Sequence, residues 1–272
     1  MQLITTRKRQ HGLTVAEILV GMAVGVIVIG GAVVVYASTV EKSNDMLRTS
    51  KLNQEVSTLL QVVSSDIRRA GFWGGINGTT FNQNPFNQPN ATALVVIDDM
   101  ASNTIQAATG QGSCIVYVYD ATYVPGNVAG VIESTDLFGF RLNGSVVQMR
   151  QTGVVDGADC VGGTCNSCTN GVWQNVTDPN LVEVTALTFD LANSQCLNVS
   201  EPNEVDDDGD GTIDEDDEYD CYATIPPGAS GDTTVESREV RVSVAARIAA
   251  DTSVQMTGSQ TIRVRNDLLR IR

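Results

Sequence analysis

From Ile18 to Val40 the chain runs 23 residues without a charge, most of them Val, Ile, Ala, Leu and Gly. At a helical rise of about 1.5 Å per residue the run reaches roughly 35 Å, enough to cross the hydrocarbon of a bilayer. It reads as a membrane span. Arg7, Lys8 and Arg9 precede it, so the positive-inside rule keeps the N-terminus cytoplasmic and sends everything after Val40 outward. Glu17 disturbs the pattern at the start of the span. An ionised acid at bilayer depth costs about 2.5 to 3.5 kcal/mol, and less near the interface. No base lies within the span, so a partner is expected from elsewhere: another protein, or a charge created by processing.

The rest of the chain is acidic. With 17 Lys plus Arg against 32 Asp plus Glu, the formal charge is -15, and no Arg/Lys stripe breaks the pattern, so a nucleic-acid partner is not expected. Residues 201–220 alone hold twelve carboxylates and no base. The single histidine, His11, lies in the basic N-terminal stretch, so the remainder can build neither a Ser-His-Asp or Cys-His site nor a His-ligated zinc site. The pair Asp98-Asp99 reads as loop residues rather than an acid/base pair, and no nucleophile with an activating base is visible. The expectation is a protein that is not an enzyme. The length permits one large domain or two small ones.

Gly12-Leu13-Thr14-Val15-Ala16-Glu17, after a short basic leader and before an apolar helix, resembles the class III signal of type IV prepilins. The resemblance implies that a prepilin peptidase cuts after Gly12 and methylates the new amine of Leu13. Glu17 becomes the fifth residue, and its partner is then the Leu13 amine of a neighbouring subunit. Burying both charges together in a filament core removes much of the penalty each carries alone. The family usually begins with Phe, so Leu13 is a departure. The bland alternative is an uncleaved single-span anchor with Glu17 at headgroup level. Removing the 12-residue leader takes away three bases and no acid, leaving 260 residues at a formal charge of -18.

Beyond Glu41 the helix pattern continues without Pro: Leu52, Val56, Leu59, Val63, Ile67 and Ala70 form one apolar face, with Asn53, Gln54, Ser57 and Asp66 at the other positions. One helix from about Leu13 to Ala70 is expected, ended by Gly71. The organisation is therefore a leader at 1–12, a transmembrane or filament-core helix at 13–40, an amphipathic helix at 41–70 and a β-rich unit at 71–272. A Gly/Asn/Pro/Gln-rich stretch to Asn90 reads as a surface loop. Strands are expected at Ala93–Ile97, Cys114–Tyr119, Leu137–Leu142, Ser145–Arg150, Leu181–Leu191, from Glu239 and from Thr261, with Asn143-Gly144 as a type I′ hairpin turn. The fold class is α+β, a long helix on a mainly antiparallel sheet.

Ser65-Asp66-Ile67-Arg68-Arg69-Ala70-Gly71-Phe72-Trp73-Gly74 is similar to the helix-end signature of PilW-type minor pilins, and Val264-Arg265-Asn266 looks like their last strand. Phe72-Trp73 reads as core packing at the helix end, not a binding box. The resemblance implies a minor pilin that joins other major and minor pilins through its N-terminal helix and helps initiate or cap a type IV pilus. Its implied partners are prepilin peptidase, the inner-membrane assembly platform and, before assembly, the lipid bilayer. It would sit in the inner membrane with a periplasmic domain, then in the fibre. Similarity to the GspJ group leaves a minor pseudopilin of type II secretion as the second reading, and a membrane-anchored periplasmic enzyme as a third. Pseudopilins at the extreme tip of secretion filaments typically lack the acid at the position of Glu17, a resemblance that favours a place below the tip.

Cys114, Cys160, Cys165, Cys168, Cys196 and Cys221 all follow the span and face an oxidising compartment. The even count argues for up to three disulfides out of fifteen connectivities. Cys165-Asn-Ser-Cys168 sits in a loop composition, which favours structural disulfides over a redox pair or a zinc ligand pair. Cys196 with Cys221 would close the base of the acidic segment. Within that segment Asp206, Asp208, Asp210, the Thr212 carbonyl, Asp214 and Asp217 fall at positions 1, 3, 5, 7, 9 and 12 of a calcium loop, with Gly211 at the sixth and Ile213 at the eighth. Asp217 departs from the usual bidentate Glu. The expected cofactor is calcium, held at about 0.1 to 1 mM; the alternative is a solvated acidic loop.

Overall fold

The computed structural model describes residues 12–74, 84–89, 91–123, 130–155 and 165–272. The contacts divide the chain into two units, Met1–Thr49 and Ser50–Arg272. One helix, α1 (Val15–Ile67), contributes to both. In the first unit it carries no charge between Ile18 and Val40, and no residue of its most apolar window is buried.

In the second unit α1 turns amphipathic. Leu52, Val56, Leu59, Leu60, Val63 and Ile67 are buried, the face that the spacing predicts. The helix ends earlier than expected, and its last turn tightens: Arg69 N–H reaches Asp66 O and Ala70 N–H reaches Ile67 O, both i to i+3. Gly71 then takes φ +72, a left-handed turn that a side chain would strain, and donates to Val118 O at 2.8 Å.

The strands are β1 (Val95–Ile97), β2 (Gln111–Gly112), β3 (Cys114–Val118), β4 (Leu137–Asn143), β5 (Val146–Thr152), β6 (Val172–Asn175), β7 (Val182–Asp190), β8 (Gln195–Asn198), β9 (Thr233–Ser237), β10 (Glu239–Ile248), β11 (Asp251–Arg263) and β12 (Leu268–Ile271). They form a five-stranded sheet ordered β1-β3-β4-β5-β6, a four-stranded sheet ordered β11-β10-β7-β2 and a three-stranded sheet ordered β12-β9-β8. Every pairing is antiparallel. The apolar face of α1 shares one core with Ile115, Tyr117 and Phe140 of the first sheet and with Leu187, Phe189, Val240, Val242 and Val244 of the second. Each such side chain contributes about 1.5 to 3 kcal/mol by leaving water. A Cβ on Gly258 would lie 3.0 Å from Leu60 Cδ1 and Val56 Cγ1, so the bare backbone lets β11 approach the helix.

The α+β layout is as expected, and several local readings are corrected. The β4–β5 hairpin turns on Gly144-Ser145 rather than Asn143-Gly144; Asn143 pairs with Val146, and of the turn residues only Gly144 has positive φ, which suits type II′ rather than I′. Val264-Arg265-Asn266 is the corner between β11 and β12, not a strand. Part of the stretch read as a surface loop is inside: Pro85–Asn87 forms a 3₁₀ turn that buries Phe86 beside Val118, Ile132 and Leu137. Trp73 packs on that cluster, whereas Phe72 is 41% exposed and meets Tyr123 edge-on.

Candidate functional site

At the start of α1, Thr14 is the N-cap and Glu17 the third helical residue. The Thr14 amide and hydroxyl donate to Glu17 Oε2 at 2.9 and 3.0 Å, and Glu17 N–H donates to Thr14 Oγ1 at 3.3 Å. This is a reciprocal capping box. The sequence reading left Glu17 without a partner in its own chain; Thr14, one turn back, supplies one. Leu13 and Val15 beside it are exposed, as are the large apolar residues from Ile18 to Tyr36. Residues 1–11 lie outside the described residues.

At the other end of α1 the structure contradicts the place given to Asp66 on the polar face. Asp66 is buried and accepts from Tyr117 at 2.6 Å, Tyr119 at 2.9 Å and Arg69 at 2.6 Å. A side chain in that position would need partners from β3, which helical periodicity cannot reveal. Burial and then the Asp66 charge hold the Tyr117 phenol well above 10.0 and raise Tyr119 in the same way. Three asparagines close the helix end: Asn266 donates to Ala70 O at 2.9 Å, Asn84 to Gly71 O at 2.7 Å, and Asn87 to Asn266 O at 3.4 Å. The corner read as a last strand is thus a helix C-cap supplied from far along the chain.

Two disulfides are formed among the described residues, Cys114–Cys168 and Cys196–Cys221. Cys165 is also disulfide-bonded, while Cys160 lies outside the described residues. Since Cys168 bonds to Cys114, the Cys165/Cys168 pair is not a dithiol unit, and the redox reading falls away. Two arginines brace this loop. Arg150, fully buried, donates to the carbonyls of Cys165 and Ser167 and to Asn170 Oδ1; Arg141 donates to Cys168 O. Their guanidinium carbons lie 5.2 and 4.2 Å from the Trp173 ring centre. Burial, with Arg141 nearby, pushes Arg150 down to about 10. Neither arginine was singled out in the sequence, where each is one polar position within a strand pattern.

The acidic segment hangs from β8. Its base is fastened by the Cys196–Cys221 bond and by Cys221 N–H to Cys196 O at 3.3 Å and Asn198 N–H to Tyr219 O at 2.9 Å. Within it the carboxylates of Asp206, Asp208 and Asp210 bring ligand oxygens within 4.8 Å of one another, and Asp208 does the same with Glu215 and Asp217. Asp206 takes the amides of Gly209 at 2.6 Å and Gly211 at 2.9 Å; Gly211 holds φ +98. Asp214 is turned elsewhere: it accepts from the Asn203 and Glu204 amides at 2.7 and 3.0 Å and groups with Glu201 and Glu218. Thr212 is exposed. Among the described residues no Lys or Arg pairs with any carboxylate of 201–220. Burial and Asp214 push Glu201 up to about 7, and burial with Glu218 and Asp210 pushes Glu215 up to about 7.

A long apolar helix whose far half packs on antiparallel sheets, stapled by disulfides, defines a pilin-like architecture. The chain belongs to the family described as PpdB, prepilin peptidase-dependent protein B, which matches residues 45–264. It is also similar to the pilin-like protein PilA3 of Thermus thermophilus, 36% identical over 70 residues that cover 25% of this chain and 30% of that protein. The chain therefore spans about a third of that relative's length. No solved structure matches it. The family points to a structural, non-enzymatic protein, with a minor-pilin role and a membrane anchor in the apolar helix.

Proposed function

We propose that this protein is a PilW-like minor pilin that co-assembles through α1 into a type IV pilus and helps initiate assembly or form the tip complex. The observation that carries the reading is the N-terminal part of α1, apolar on every side and unburied in its own chain, with one acid at its start. Such a surface needs lipid before assembly and other pilin helices after it. Prepilin peptidase cuts after Gly12, and the methylated amine of Leu13 on a neighbouring subunit takes over Glu17 from Thr14. Before assembly the chain rests in the inner membrane with Ser50–Arg272 in the periplasm. The acidic segment binds calcium, since so many carboxylates without a basic partner repel one another unless a divalent cation offsets them.

The test is made in cells that carry the assembly machinery. Gly12→Ala leaves the precursor uncut by mass spectrometry, and Glu17→Gln is cut normally yet missing from sheared pili. Normal incorporation of both variants overturns the reading.

A further inference from the structure

The outer unit, Ser50–Arg272, holds 12 Lys plus Arg against 29 Asp plus Glu, a formal charge of -17. Against that background one corner is basic. Arg263 and Arg265, at the turn from β11 into β12, lie beside Arg68 and Arg69 at the end of α1, and Arg265 N–H donates to Arg68 O at 3.3 Å. All four residues are exposed. Arg69 is paired with Asp66 at 2.6 Å and Arg263 with Asp267 at 3.3 Å, but among the described residues Arg68 and Arg265 pair with no carboxylate. Two cations held together repel, and nothing within the chain offsets them.

The acidic segment lies on the other flank. β12 follows β11, β9 precedes β10 and β8 follows β7, so the order β12-β9-β8 continues the order β11-β10-β7 beyond the corner. β11 and β12 make one edge of this ribbon and β8 the opposite edge, two strand spacings or about 10 Å across. Leu197 of β8 pairs with Val235 of β9 on one side and bridges to Asp220 on the other, so the acidic segment is fastened along the outer side of β8. Glu204, Asp208, Asp210, Asp216, Asp217 and Asp220 are exposed there. Among the described residues no ion pair joins the two flanks within the chain.

We propose that the corner formed by Arg68, Arg69, Arg263 and Arg265 docks the exposed carboxylates of residues 204–220 of a second copy of this chain. At a formal charge of -17, most approaches of one outer unit to another set acid against acid; this one sets the basic corner against the most acidic flank. The two surfaces differ, so the contact is heterologous and can repeat from copy to copy. Exposed ion pairs are weak and screened by salt, so the contact orients copies that the apolar part of α1 already brings close. It does not rest on the calcium reading of the segment.

The experiment is sedimentation velocity of the full chain in detergent and EDTA, at about 20 mM and about 500 mM NaCl. Wild type is compared with Arg68→Glu/Arg265→Glu and with Glu204→Gln/Asp216→Asn/Asp217→Asn, three exposed acids outside the hydrogen bonds that shape the turn. Wild type associates at least about tenfold more tightly at the lower salt. Each variant alone is monomeric there. Mixed, the two form a one-to-one complex that grows no further, because one has lost the basic corner and the other the acidic flank. Wild type that stays monomeric at low salt, variants that associate as wild type does, or a mixture that stays monomeric each overturns the proposal. Association through α1 alone persists at the higher salt and in both variants, and that result overturns it as well. Should the reversed charges prevent folding, judged by circular dichroism, Arg68→Gln/Arg265→Gln takes their place.

Discussion

Tyr117 on β3 donates its phenol hydrogen to Asp66 of α1 at 2.6 Å, across 51 residues of sequence. Tyr119, two positions further along the chain, donates to the other oxygen of the same carboxylate. The last turn of the helix is thereby bonded to the five-stranded sheet through one buried anion, with Arg69 at its solvent edge.

Replacing Asp66 by Ala strands two buried hydroxyls and removes both bonds. A hydrogen bond to a charged group contributes about 1.5 to 3 kcal/mol and an orphaned buried hydroxyl costs about 1 to 3. Asp66→Ala is expected to lose about 3 to 5 kcal/mol by chemical denaturation, whereas Asn53→Ala on the exposed face changes stability by less than about 0.5. Equal effects would contradict the anchoring role.

The same pair sets an alkaline limit. Tyr117 and Tyr119 are both held above their ordinary value, chiefly by burial and by the Asp66 charge. An acid whose folded pKa is raised contributes stability that is complete below its unfolded pKa, near 10, and is lost as pH climbs past it. The melting temperature is expected to fall more steeply between about pH 10 and 12 in wild type than in the Tyr117→Phe/Tyr119→Phe double variant. Parallel profiles would rule this out.

Gly258 is needed for the approach of β11 to α1. A branched side chain there meets Leu60 and Val56, and overpacking of this kind costs about 1 to 3 kcal/mol. Gly258→Val is expected to lower stability by that amount. Leu60→Ala in the same chain makes room, so the double variant should lose less than the sum of the two.

Opening the base of the acidic segment exposes its self-repulsion. The Cys196–Cys221 bond closes a loop of sequence separation 25, for which chain entropy predicts about 3 to 4 kcal/mol. Cys196→Ser/Cys221→Ser should lose that much in EDTA and recover part of it in calcium. A loss insensitive to calcium would argue that the segment holds no ion.

Much of this layout was legible. Helical spacing gave the buried face of α1 from Leu52 to Ile67, and alternation gave β10, because both patterns are set by the chain's own geometry against one core. What escaped was decided elsewhere. β8 and β9 read Gln-Cys-Leu-Asn and Thr-Thr-Val-Glu-Ser, polar strands that are fixed by their partners and the disulfide. Asp66 looked solvent-facing because its two tyrosines lie 51 and 53 residues away. Asp214 is drawn away from the place its spacing suggests by the amides of Asn203 and Glu204, which lie before the motif begins. The capping box at Thr14 and Glu17 was present in the sequence as Thr-x-x-Glu, but the question of what neutralises the acid hid it.

The Asn266 amide that seals the Ala70 carbonyl reaches back over 196 residues. In a chain made from its N-terminus, residue 70 exists long before residue 266 does. Through that interval the Ala70 carbonyl has no such donor, and the order of synthesis runs opposite to the order of closure. The helix end is therefore sealed only once a stretch made 196 residues later has folded back onto it.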